Sequence, residues 1–170
     1  MIELARFNVV DGNTLLQSQP GVYTQQEDGW GLRLNIGIRG TGVERSSRIT
    51  LMEDGILTAP AAYSAPAAYY SPVLWKYEQI EVLKGGAALI TGPQSTGGAV
   101  NFVTATPQEQ DYHQIRTTAG AFGRLMANAR GQVTLNDKSQ FFYGVGRNGA
   151  QGFNDIDGQH YGGFGLNDGY

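Results

Sequence analysis

The chain has 170 residues, 25 glycines, no cysteine, 16% charged residues and a formal net charge of −3. That length suits one domain with a sizeable core, or one domain and part of another; the composition excludes a disulfide scaffold and a charge-driven disordered chain, and the charge offers no basic face for nucleic acid. No run of about 18 apolar residues encodes a transmembrane helix, and MIELARFNVV, with acidic Glu3, lacks an export-signal pattern, which leaves a cytoplasmic protein, a piece of a longer precursor, or a membrane protein built of strands.

Residues 1 to about 107 read as a small mixed domain. GNTLLQSQ predicts a short helix stopped by Pro20-Gly21, and GVYTQ a strand. In LRLNIGIRG, Leu32, Leu34, Ile36 and Ile38 alternate with Arg33, Asn35, Gly37 and Arg39, the period of a strand. RITLMEDGIL predicts a strand, a turn at Asp54-Gly55 and a second strand, the strongest hairpin signal in the chain. The loop APAAYSAPAAYYSP repeats A-P-A-A-Y and carries Tyr63, Tyr69 and Tyr70 on backbone stiffened by proline. It and QEDGWGLR read either as plain surface connections or as loops that present a site. SPVLWKY fits one or two helical turns, and QIEVLKG a further strand.

ITGPQSTGGAVN raises the question of a phosphate cradle. A P-loop places a lysine and then Ser or Thr after its second glycine, because the lysine meets the β and γ phosphates. Gly97, Gly98 and Ala99 stand there instead. The segment is expected to be a tight turn whose glycines allow close backbone approach, followed by a strand over Ala99 to Val103.

After Pro107 the pattern changes. RLMANARGQVTL puts Leu125, Ala127, Ala129, Gly131, Val133 and Leu135 on one side, with Arg124, Asn128, Arg130, Gln132 and Thr134 on the other. The length is about that of a tilted strand crossing a bilayer. YHQIRTTAGA precedes it and SQFFYGVGRN follows it across NDK, which predicts a three-stranded meander. A soluble antiparallel sheet alternates in the same way, so periodicity leaves both settings open. The last stretch, GAQGFNDIDGQHYGGFGLNDGY, reads as glycine-rich loop; its DIDG lacks the Asp or Asn that a calcium loop would need where Phe153 stands, so no metal site is expected.

Four segments in order, QPGVYTQ, NIGIRGTG, LMEDGIL and YEQIEVLKGGAALITGPQSTGGAVNFVT, make residues 10 to 107 resemble the plug domain of TonB-dependent outer-membrane receptors. EDGWGLRLNIGIRGTGVERSSRI followed by APAAYSAPAAYY looks most like the ferric citrate and ferric siderophore branch. The resemblance implies an α+β plug domain over 1–107, a small mixed sheet with short helices, then over 108–170 the first three or so antiparallel strands and a loop of a transmembrane β-barrel. Large barrels of this kind have about 22 strands around a plugged lumen, so the likeness covers the plug and the start of the barrel. Neither a signal peptide nor the segment that contacts TonB is recognisable in it.

The implied function is uptake of a ferric chelate, ferric citrate or a similar siderophore, across the outer membrane. It would be driven by the TonB complex, with iron carried as chelated substrate, no cofactor and no enzymatic step. An anionic chelate needs guanidinium, hydroxyl or amide donors and flat apolar walls. Trp30, Arg33, Tyr63, Ser64, Tyr69 and Tyr70, with Gln94 behind them, are the ligand candidates that the resemblance implies, although Trp30 and a tyrosine could equally pack against the barrel wall. Glu27 and Asp28 oppose an anion unless Arg33 or a barrel cation neutralises them. Arg39 in IRG and Lys84 in VLKG, where arginine is common, match plug cations that pair with barrel glutamates, and Glu81 offers Lys84 a local partner. A soluble β-rich ligand- or carbohydrate-binding module using the Tyr-rich loop is the alternative. An enzyme is not expected, since G-x-S-x-G, H-E-x-x-H and cysteine are all absent and His113 and His160 lack carboxylates at metal spacing.

Overall fold

The computed structural model describes residues 2–3, 12–27, 33–58, 72–92, 96–121, 123–149, 155–156 and 159–160. Two compact units divide the chain, residues 1–105 and 106–170.

Unit 1 opens with strand β1 (Ile2–Glu3) and helix α1 (Gly12–Gln17). Leu15 and Leu16 of α1 are buried, and the helix ends where the Ser18 hydroxyl donates to the Leu15 carbonyl at 2.7 Å, two residues before Pro20. Strands β2 (Val22–Gln25) and β3 (Asn35–Ile38) form an antiparallel ribbon. Strands β4 (Ile49–Glu53), β5 (Ile56–Leu57), β6 (Tyr77–Leu83) and β7 (Gly98–Thr104) join β1 in a five-stranded sheet of order β1-β6-β7-β4-β5. The sheet is mixed: β4 runs parallel to β7, and the other pairs are antiparallel. Period two sends Ile49, Leu51, Ile80, Val100 and Phe102 into one core with Leu15, Leu16, Val22, Leu34, Ile36, Ile38 and Tyr77. The opposite face buries Met52 and Ala99 with Ala88 of a 3-10 stretch, Gly85–Thr91.

The hairpin at Asp54-Gly55 forms as its sequence dictates, with φ of +48° and +80° at the two turn residues. Asp54 also clamps β7, its carboxylate accepting from the Thr104 amide at 2.8 Å and the Thr104 hydroxyl at 2.9 Å. SPVLWKY makes only a 3-10 turn, Leu74–Lys76, before β6 begins at Tyr77.

One expectation needs correcting. Alternation put Asn35 and Gly37 on a polar side, yet both are buried. A 3-10 turn, Glu44–Ser46, supplies partners to Asn35 and its neighbours, while Thr41 and Val43 cover Gly37. The Ser46 hydroxyl donates to the Leu34 carbonyl and accepts from the Ile36 amide at 3.0 Å, while Asn35 accepts from the Arg45 amide at 2.9 Å and donates to the Gln25 carbonyl at 3.2 Å. Buried polar groups persist when satisfied in this way.

Unit 2 is an antiparallel meander of β8 (Tyr112–Ala119), β9 (Leu125–Asn136) and β10 (Ser139–Gly149), with β9 central. Its burial is inverted relative to a sheet in water. Ile115, Leu125, Leu135, Phe141 and Val145 are exposed, Ile115 to 81%, while Asn128 and Gln132 on the other face are 6% and 0% exposed. The register places Ile115, Ala129 and Val145 on one rung, with Tyr112, Gln132 and Phe142 on a rung of the opposite face. The tail, expected to be loop throughout, contains two short paired strands, β11 (Asp155–Ile156) and β12 (Gln159–His160).

Candidate functional site

Two of the candidate cations meet at one corner of unit 1. The end of β3 and the end of β6 both arrive at the Pro20-Gly21 turn that follows α1. The Arg39 amide donates to the Gly21 carbonyl at 2.9 Å, and the Lys84 ammonium donates to the Pro20 carbonyl at 2.6 Å. Arg39 has φ +53°, which turns its exposed side chain back over the backbone of Gly85. A Cβ on Gly85 would lie 2.8 Å from the Arg39 guanidinium, so glycine at 85 leaves the space this side chain occupies. Among the described residues neither cation meets a carboxylate. The corner thus presents two positive charges at the surface, the Lys84 ammonium bonded to a carbonyl and the Arg39 guanidinium in the space that Gly85 leaves.

Glu81 does not join this corner. Residues 81 and 84 fall on opposite faces of an extended segment, and among the described residues no Glu81–Lys84 ion pair is present. Glu81 accepts instead from the Asn101 amide at 3.0 Å, and Asn101 in turn accepts from the Gly55 amide at 2.9 Å. These three tie β6, β7 and the Asp54-Gly55 turn together across the sheet.

Arg33 is exposed and pairs with Glu27 at 3.5 Å, while Asp28 lies outside the described residues. Trp30, Tyr63, Ser64, Tyr69, Tyr70 and Gln94 lie outside the described residues.

The glycines of the GG segment serve packing. A Cβ on Gly97 would come within 2.8 Å of the Ile49 and Thr41 side chains, and its amide donates to the Arg48 carbonyl at 2.8 Å. Gly98, at φ +140°, would place a Cβ 2.6 Å from the Leu83 carbonyl oxygen and 2.8 Å from the Ile38 side chain. Only glycine lets β7 enter between β4 and β6 here. Sequence reasoning missed Pro20 and Gly21 as acceptors, since a proline and glycine after a helix signal no more than its end.

The family model of the TonB-dependent Receptor Plug Domain matches residues 2–99. The chain belongs to the TonB-dependent receptor family. The Vitamin B12 transporter BtuB of Vibrio cholerae is 26% identical over 140 residues, 82% of this chain and 22% of the transporter. The Metal-pseudopaline receptor CntO of Pseudomonas aeruginosa is 31% identical over 85 residues, 48% of this chain and 12% of the receptor. Among solved structures, the unliganded ferric citrate transporter FecA is similar at a TM-score of 0.64 and 28% identity, over 85% of this chain and 24% of FecA. FpvA of P. aeruginosa bound to a heterologous pyoverdine gives a TM-score of 0.69 at 19% identity, over 87% of this chain and 19% of FpvA, a likeness of fold alone. The TonB-dependent receptor chain therefore spans about a fifth of the length of most of these relatives. They are transporters and receptors rather than enzymes, and the family is one of the bacterial outer membrane. Unit 1 is its plug domain, and unit 2 carries strands of the kind that build its barrel.

Proposed function

We propose that the chain supplies the plug and first barrel strands of a receptor that takes up a ferric chelate, ferric citrate or a similar siderophore, with energy from the TonB complex. The reading is supported by the inverted burial of unit 2, which gives outer-membrane lipid an apolar face and leaves polar side chains for the inside. The iron chelate is favoured by the 28% identity to the ferric citrate transporter and by Arg33, an exposed guanidinium that ends the QEDGWGLR loop. Trp30, Tyr63, Ser64, Tyr69, Tyr70 and Gln94 would complete the ligand surface, the aromatics supplying flat walls and the hydroxyl and amide groups donors.

Arg39 and Lys84 would lock the plug through carboxylates of the surrounding barrel. Lys84 is already held by the Pro20 carbonyl, and a barrel glutamate facing the corner would be left uncompensated without the two cations. Glu81 is assigned to the internal bond with Asn101 rather than to the lock.

Uptake of radiolabelled ferric citrate and of cobalamin by cells whose only such receptor contains this chain tests the reading. Ferric citrate accumulation that depends on TonB, and falls at least about tenfold when Arg33→Ala is combined with Tyr63→Ala, is expected; tenfold corresponds to about 1.4 kcal/mol of lost binding. Accumulation of cobalamin without iron would contradict it. Lys84→Ala with Arg39→Ala should leave ligand binding in place and make the receptor leaky to antibiotics that the closed plug excludes.

A further inference from the structure

We propose that Gln132 and Asp111 form a clasp that fixes the connector ahead of β8 to the sheet, so that movement of unit 1 ends at Gln108 and does not peel β8 from β9. Gln132 faces Tyr112 and Phe142 on the rung where β8 begins. Its side chain is fully buried and pairs with the Gln108 backbone as a neighbouring strand would. The Gln108 amide donates to Gln132 Oε1 at 2.9 Å, and Gln132 Nε2 donates to the Gln108 carbonyl at 2.7 Å. Gln140 donates to the same carbonyl at 3.2 Å. One rung further, Asp111 Oδ1 accepts from both the amide and the hydroxyl of Thr134, each at 2.7 Å. The ladder between β8 and β9 is thus continued by side chains past its last backbone rung.

The arrangement matters because of how a pull reaches it. Force arriving along residues 105 to 107 acts on the open end of an antiparallel pair and would break its rungs one at a time, the easiest way to separate two strands. With the clasp closed, the same force first meets the two bonds of Gln132 and the charge-assisted bonds of Asp111 together. A buried glutamine whose donor and acceptor are both satisfied resists opening, because each freed group would lose its partner before water reaches it. The transport reading supplies the origin of the pull, while the clasp itself stands on geometry alone.

Mechanical unfolding of the receptor in a lipid bilayer, pulled from its N-terminal end, tests the proposal. In the unaltered protein the plug should unravel in events that end near Gln108, with a separate, later event for β8. In the Gln132→Ala, Asp111→Ala double variant β8 should leave with the connector, lengthening the preceding event by ~40 Å at about 3.4 Å per residue. Equal lengths in the two proteins would overturn the proposal. Should the double variant fail to insert, amide hydrogen exchange on the unaltered protein and on Gln132→Met decides. The Gln108 amide should exchange at least about tenfold more slowly than the Gln110 amide in the unaltered protein, and lose that margin in Gln132→Met, whose side chain has a similar length but no oxygen to accept from the Gln108 amide. An unprotected Gln108 amide in the unaltered protein would overturn the clasp. Neither readout involves uptake, so failure of the transport assay and failure of the clasp are separate results.

Discussion

Strands β4 and β9 each carry apolar residues at period two, yet those residues meet opposite surroundings. In β4, Ile49 and Leu51 go into the core of unit 1 beside Val100 and Phe102, as water demands of a globular domain. In β9 the buried residues are Met126, Asn128, Gly131 and Gln132, all but Gly131 on the face opposite Leu125 and Leu135, which are exposed. What differs is where those residues lie, in the core for β4 and exposed for β9. Unit 1 is stabilised by removing its apolar residues from water, whereas the exposed apolar face of unit 2 suits the lipid that the proposed barrel setting would supply.

The sharpest break of that comparison on the side of unit 1 is Gly98→Ala. The new Cβ would meet the Leu83 carbonyl and Ile38 at a residue with φ +140°, and the sheet must shift to admit it. Loss of about 3 kcal/mol or more in urea unfolding of unit 1 is expected, in the range of severe core changes. A lysine at Ile115 or Val145 comes next, on the side of unit 2. In a bilayer the charge should cost about 2–4 kcal/mol near the midplane, measured as refolding stability in lipid vesicles, whereas a surface lysine on a sheet in water would cost almost nothing. Asp54→Ala is smaller. It removes both bonds to Thr104 and puts alanine at φ +48°, for an expected loss of about 1–2 kcal/mol confined to the unfolding of unit 1.

Much of unit 1 is legible in its sequence because its signals are local. Asp54-Gly55 demands a tight hairpin, Pro20-Gly21 ends α1, and the apolar run from Gly98 to Thr104 is a strand wherever it lies. The parallel pairing of β4 with β7 is not legible, since no local pattern says which edge a strand will join. Asn35 was hidden for a related reason: its partner is the amide of Arg45, whose backbone turns to positive φ in a stretch of charged and hydroxyl residues that reads as plain loop, and Gly37 is covered by Thr41 and Val43 of the same stretch. The corner of Arg39 and Lys84 was legible as a pair of family positions, but its geometry depends on a carbonyl of Pro20, 64 residues before Lys84. The Gln132 clasp left no trace at all, because a glutamine on the polar side of an alternating strand reads as an ordinary side chain until its partner, 24 residues away, is placed against it.

The claim that the two units are sorted for different solvents is tested most directly by single spin labels. The protein contains no cysteine, so one cysteine introduced at Ile115, Ala127 or Val145, or at Gln114 or Arg116 on the other face, carries the label alone. In outer-membrane lipid, labels at 115, 127 and 145 should be relaxed by oxygen dissolved in the bilayer and shielded from a water-soluble nickel reagent, while those at 114 and 116 lack the oxygen response. Nickel accessibility at 115, 127 and 145 equal to that of an exposed position of unit 1, such as Tyr23, would contradict the account.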